Sequence, residues 1–177
     1  MTDLILDHNQ IASLPDKIDQ LQEMGELNLS FNKLTSLPPT IGKLSKLVFL
    51  YLGKNQLTEL PKEIGDLKNL YRLHLKENKL KTIPASIVNL NLSELDLADN
   101  LLESLPVEMG TVLESNPWKQ TSLNLHGFPA KGQWEKLSDE QRQLLSKLKA
   151  LHKEKTGKYY LSYSNIPKQT VAQAQTI

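Results

Sequence analysis

Residues 27–44 read LNLSFNKLTSLPPTIGKL, and 23 positions further on residues 50–67 read LYLGKNQLTELPKEIGDL. The same unit continues in both directions. Asparagine recurs at Asn9, Asn32, Asn55, Asn78 and Asn100, at spacings of 23, 23, 23 and 22. Leucine stands five residues before each (Leu4, Leu27, Leu50, Leu73, Leu95) and three before each (Leu6, Leu29, Leu52, Leu75, Leu97). An apolar residue follows two positions after: Ile11, Leu34, Leu57, Leu80 and Leu102. Then come Leu14-Pro15, Leu37-Pro38, Leu60-Pro61, Ile83-Pro84 and Leu105-Pro106, and further on Ile18, Ile41, Ile64, Ile87 and Met109. A period of this length, with the apolar positions locked to it, marks a chain wound into stacked coils.

Each column has a physical reason. The L-x-L alternation makes a short strand with one buried face. One coil cannot bury that face alone, so the copies are predicted to stack into a parallel sheet over a shared core. An asparagine amide both donates and accepts hydrogen bonds. A column of them is expected to satisfy backbone groups that a tight coil leaves unpaired. Proline fixes φ on the return path, and Gly42, Gly65 and Gly110 are expected to allow close turns there.

These two stretches resemble intracellular leucine-rich-repeat proteins of the 23-residue class, such as the Ras-suppressor and plant Ras-group-related proteins, over residues 1–114. The resemblance implies an α/β fold: a curved solenoid with a concave parallel sheet and a convex side of short turns and helical segments. It also implies scaffold work around small GTPases or phosphatases. The organisation expected is a solenoid over 1–118 with repeats at 1–23, 24–46, 47–69, 70–91 and 92–114. An irregular segment with a capping helix follows over 119–157, and then a flexible tail over 158–177.

The pattern breaks in three places. Met1 falls on the first position of the first repeat, so Leu4, Leu6, Ile11 and Leu14 are expected to lack a neighbour on one side. That suggests a shortened chain or an end that docks onto something. The fourth repeat is one residue short, between Leu90 and Leu92. After Met109-Gly110 the chain runs TVLESNPWKQ, and Asn116 follows Asn100 by only 16 residues. Trp118 is read as a cover for the C-terminal end of the core. Residues 119–134 read as irregular, with Gly127, Pro129 and Gly132 as breakers. Ser138 and Gln141 form a capping box, with Asp139 and Glu140 favouring the start of a helix. Leu144, Leu145, Leu148 and Leu151 recur at helical spacing, so a helix over 138–155, ended at Gly157, is predicted to cap the solenoid.

Composition narrows the chemistry. The absence of cysteine excludes disulfide caps, a thiolate zinc site and a cysteine nucleophile, and favours a cytoplasmic setting. No secretory signal and no membrane-spanning apolar run is visible. The net charge of +1 gives no case for nucleic acid, although it hides a split: residues 1–114 sum to −5 and residues 115–177 to +6. His8, His74, His126 and His152 show no metal-ligand spacing. His74 stands near Asp96 and Arg72 in adjacent repeats, but a histidine beside an acid is common on charged surfaces. No phosphate-cradling loop occurs. The chain therefore reads as a non-enzyme without cofactor or metal.

Function is expected on the sheet. Strand alternation turns outward Asp3, Ile5 and Asp7; Glu26, Asn28 and Ser30; Phe49, Tyr51 and Gly53; Arg72, His74 and Lys76; and Glu94, Asp96 and Ala98. Phe49, Tyr51, Tyr71, Arg72 and His74, with Asp96 adjoining, form the candidate protein-binding residues. Tyrosine and arginine are favoured at contact centres, and Arg72 is expected to pair with a partner carboxylate. The reading is a protein-interaction adaptor or scaffold in intracellular signalling. The alternative is a structural or truncated repeat fragment with no partner of its own.

Overall fold

The computed structural model describes residues 2–112, 122–130 and 132–155. Six strands, β1 (Thr2–Ile5), β2 (Met24–Asn28), β3 (Phe49–Tyr51), β4 (Arg72–His74), β5 (Glu94–Asp96) and β6 (Ser122–Asn124), form one parallel sheet in sequence order. The L-x-L columns are in register: Leu27 with Leu50, Leu50 with Leu73, Leu73 with Leu95. All are buried beneath the sheet. Opposite the strands lie 3-10 segments at Asp16–Gln20, Pro39–Lys43, Lys62–Asp66 and Ala85–Asn89. Each begins just after a proline whose φ lies between −65° and −70°. Strands pack about 4.8 Å apart and the 3-10 coils are wider, so the sheet takes the inner, concave side.

The asparagine ladder forms as expected. Asn55 Nδ2 donates to Leu52 O at 3.1 Å in its own coil and to Leu29 O at 2.9 Å in the coil before, while its Oδ1 accepts from Leu34 N at 3.0 Å. Asn32, Asn78 and Asn100 repeat the pattern, each reaching back to the preceding coil. Every residue just before a ladder asparagine has positive φ: His8, Phe31, Lys54, Glu77 and Asp99, all between 54° and 57°.

Gly42 and Gly65 have a different role from the turns expected of them. A Cβ on Gly42 would collide with the backbone of Glu63, and one on Gly65 with the backbone of Ser86. These glycines let successive 3-10 coils approach. Gly110 meets no such crowding, since its nearest neighbour is Leu144 Cδ1 at 3.5 Å. The residue missing from the fourth repeat is absorbed at Leu90, which is extended (ψ 152°) where Leu44 and Leu67 bend (ψ 69° and 66°).

The C-terminal region departs most from the expectation. Residues 119–134, read as irregular, contain β6. Leu123 pairs with Leu95, Leu125 is buried three positions before Phe128, and Gly127 has φ 88°. The stretch LNLHGF is thus a sixth coil with phenylalanine in the asparagine column. Asn116 and Trp118 lie outside the described residues. Trp134 is buried in the core cluster, and the terminal helices α1 (Met109–Val112) and α2 (Asp139–Lys155) pack together. Leu144, Leu145 and Leu148 are buried as predicted for a cap, while the Leu151 side chain lies outside the described residues. Tyr159, Tyr160 and Tyr163 are also outside them.

Half of the expected capping box forms, with Gln141 N donating to Ser138 Oγ at 3.2 Å. The Gln141 side chain does not turn back to Ser138. It accepts from Leu105 N at 2.9 Å and donates to Leu105 O at 2.6 Å. Gln133 likewise donates to Leu102 O at 2.9 Å. In earlier coils the matching carbonyls of Leu34, Leu57 and Leu80 accept from the backbone of the next coil. The Gln133 amide therefore takes the place of the next coil's backbone at Leu102, and Gln141 pairs both backbone groups of Leu105.

Two tests of this architecture follow from packing. Leu52→Ala removes a fully buried side chain, and chemical denaturation should show a loss of about 2–5 kcal/mol. Gln141→Ala should cost about 1–3 kcal/mol by orphaning the Leu105 backbone groups. Hydrogen exchange at the Leu105 amide should accelerate with it, whereas a purely helical role for Gln141 would leave that amide protected.

Candidate functional site

The open face of the sheet is built from straight rows, because the register is uninterrupted from β2 to β6. One row runs Asp3, Glu26, Phe49, Arg72, Glu94, Ser122, and the next runs Ile5, Asn28, Tyr51, His74, Asp96, Asn124. Phe49 and Tyr51, on alternate outward positions of β3, are half-buried and nearly coplanar, with centroids 6.4 Å apart and planes 13° apart. His74 meets Tyr51 edge-on at 5.0 Å. Arg72 lies over Phe49, its Cζ 5.6 Å from the ring centroid, within cation–π range.

Glu94 ties the group together. Its carboxylate lies 3.4 Å from Arg72 Nε and 3.2 Å from His74 Nε2. The His74 contact is close without hydrogen-bond alignment, and Nε2 is shielded from water. Arg72 is thus already paired within the chain, where the sequence suggested it was available to a partner carboxylate. The sequence placed Glu94 on the face but gave it no role. Its longer side chain reaches both Arg72 and His74 from the row position opposite Arg72.

Tyr71 stands apart. It is 47% exposed, one residue before β4, and among the described residues it makes no ring contact with Phe49 or Tyr51. Asp96 is opposite His74 in register, but one of its oxygens accepts from Ala98 N at 3.0 Å, closing the strand end. Asn28 and Asn124 do the same for Ser30 and His126. Burial pushes the Asp96 carboxyl above its ordinary range, against the lowering effects of the Ala98 N–H and of His74 and Lys76.

A second aromatic feature was not legible. Phe31, 42% exposed at its positive-φ position, stacks on His8 at 4.0 Å and 16°, with Lys54 Nζ 4.7 Å above its ring. Its signal is the residue before each ladder asparagine, a column whose side chains all leave the strand end on the same rim. At the far end of that rim His126 Nδ1 meets Asp99 Oδ1 at 2.9 Å. Among the described residues no group of three or more His, Cys, Asp or Glu is arranged to hold a metal, and no helix is long and apolar enough to cross a membrane.

Comparison with known proteins agrees with this geometry. A family model described as leucine rich repeat matches residues 1–57 and 50–102. A leucine-rich-repeat protein of Leptospira interrogans is similar at 33% identity and a TM-score of 0.61, over 82% of this chain and 34% of that one. The structure of PEPR1-AtPEP1 is similar at 30% and 0.56, over 70% and 18%. The ectodomain of the receptor kinase SOBIR1 from Arabidopsis thaliana is similar at 32% and 0.52, over 56% and 57%. The chain thus spans from under a fifth to just over half the length of these proteins. No curated protein sequence matches it.

The state of Asp96 generates a pH prediction. A carboxylate whose folded pKa is raised disfavours the folded state while ionised, and that cost disappears as pH falls through the folded value. Asp96→Asn keeps the acceptor for Ala98 N and removes the charge, so it should stabilise the protein at neutral pH. The gain should shrink as pH falls toward the ordinary carboxylate range. Denaturation midpoints of both forms across that interval check it, and a gain independent of pH would assign the effect elsewhere.

Proposed function

The chain belongs to the leucine-rich-repeat family, and we propose that it is a protein-interaction module whose concave face takes a polypeptide partner around Phe49, Tyr51, Arg72 and His74. Domains of this family generally serve protein–protein interaction and are typically non-catalytic. The observation that carries the assignment is the aromatic pair on β3. Phe49 and Tyr51 sit on the water side of the sheet and contribute nothing to the leucine core beneath. Such rings, braced by Arg72 and His74, are rigid contact area of the kind found at interface centres.

Six strands at about 4.8 Å give a face roughly 24 Å across, wide enough for a helix or the edge of a small domain. About 800 Å² per partner is a standard interface. The finer reading is a signalling adaptor or scaffold working in the cytoplasm, with a small GTPase or a phosphatase-type complex as the class of partner. The resemblance of residues 27–67 to intracellular repeat proteins supports it, as does the lack of cysteine for disulfide caps. Tyr71 and Asp96 belong to the margin of the proposed site.

Tyr51→Ala or Arg72→Ala should each weaken partner binding by about 1–3 kcal/mol and leave folding nearly intact. Lys62→Ala, exposed on the convex side, should change little. Titration of an isolated partner against the three variants, with circular dichroism as the folding control, decides the matter. Sensitivity to the convex change alone would place the binding face on the other side.

A further inference from the structure

Charge on the open face is not balanced from one end of the sheet to the other. Toward the C-terminal strands each basic side chain has its carboxylate. Arg72 and His74 share Glu94, and Lys76 Nζ lies 3.6 Å from Glu77 and 3.8 Å from Asp99. Toward the N-terminal strands Asp3 and Glu26 stand opposite each other in register on β1 and β2. Neither has an ion pair or a side-chain hydrogen bond among the described residues. The cation of their row, Arg72, is occupied by Glu94 and the Phe49 ring. Lys54, the cation over Phe31, is 3.7 Å from Glu77. Asp7, further along β1's chain, is already 2.6 Å from His8.

Like charges directly opposite on neighbouring strands are unfavourable, and among the described residues no cation is paired with either of them. The same half of the face exposes apolar surface: Ile5 is 52% and Phe31 42% exposed, with half-buried Phe49 beside Glu26 in register. Unpaired carboxylates among exposed apolar side chains form a surface complementary to cations carried on an apolar scaffold.

We propose that the partner of this face is a basic, amphipathic protein segment. Its arginine or lysine enters at Asp3 and Glu26, and its apolar side chains cover Ile5, Phe31 and Phe49. The inference rests on the concave-face reading above and adds the sign of the partner's charge, opposite to that suggested by Arg72 alone. Nucleic acid is repelled by the same carboxylates.

The test is selection of a displayed library of random 12-residue peptides on the immobilised full chain. Enriched peptides are then titrated against wild type, the Asp3→Asn/Glu26→Gln double variant and Tyr51→Ala. We expect arginine and lysine to outnumber acidic residues in the selected peptides. Affinity should fall about three- to tenfold in the double variant and decline with added salt. Selected peptides that are neutral or acidic, or basic ones indifferent to the double variant, overturn this inference, and the concave-face reading survives if Tyr51→Ala still weakens them. Basic peptides lost by the double variant but kept by Tyr51→Ala sustain the charge inference and overturn the aromatic centre. No enrichment, or indifference to both sets of changes, overturns both. Sedimentation of the chain alone covers the remaining occupant: a dimer dissolved by the double variant names a second copy and overturns the proposal.

Discussion

From the second coil to the fifth, each coil is tied to the one before it by an asparagine amide, buried at Asn32, Asn55 and Asn78. The amide donates across the junction to a strand carbonyl and accepts from the amide two residues beyond the preceding asparagine. Backbone groups inside a coil this tight cannot find partners in their own turn, and leaving them unpaired in a leucine core costs more than the bonds themselves contribute. The geometry has a condition. For the side chain to reach back to the carbonyl three residues earlier, the chain reverses through the left-handed region at the position just before. Five non-glycine residues adopt that strained conformation in the described repeats. The ladder over-determines them, as strain of this kind requires.

A ladder that always reaches backward leaves the last coil bearing an asparagine, the fifth, with groups that no further ladder amide serves. The chain ends the series by changing the residue types. Phe128 stands where asparagine would, so no ladder amide reaches from the sixth coil back to the fifth, and Gly127 takes the left-handed position without strain. Gln133 and Gln141 then bond from their side chains to Leu102 and Leu105 of the fifth coil, where the matching Leu80 carbonyl of the fourth is served by the backbone of the fifth. Trp134, Leu144, Leu145 and Leu148 are buried in one cluster with Leu102, Leu105, Leu123 and Leu125 of coils five and six. At the other end Leu4, Leu6, Ile11 and Leu14 are only partly buried, where their counterparts Leu27, Leu29, Leu34 and Leu37 are enclosed.

The repeat, its sheet and the asparagine ladder were legible in the sequence because each is written several times over, and repetition averages out the ambiguity of any single position. The sixth coil is written once. Its L-x-L and the glycine at the left-handed position were present at Leu123, Leu125 and Gly127, but they lie 28 residues after their register partners and lack the asparagine. A glycine read as a breaker was a column member. The dual use of Gln141 was hidden for another reason: a capping box is local, whereas its actual partner, Leu105, is 36 residues away. For the site, strand alternation identified which side chains face outward. It could not identify pairing among them, because charge pairing depends on side-chain length and lean. Glu94 rather than Asp96 meets His74, although Asp96 is its register neighbour.

That pairing changes what the face can do. A guanidinium held over Phe49 and against Glu94 has lost much of its rotamer freedom before any partner arrives, so the ring it covers is presented in one arrangement. Preorganisation of this sort lowers the ordering cost of association. It also removes Arg72 from the charges that a partner meets unpaired. The uncompensated field on the face then comes from β2 and β1, one and two strand spacings from the rings of β3. On the proposed reading, contact energy and charge selection fall to neighbouring but separate parts of the sheet: rigid aromatics on β3 and β4, and open carboxylates beside them. A surface so divided would separate how tightly the proposed polypeptide is held from which polypeptides are admitted, because aromatic contacts are insensitive to salt and carboxylates are not.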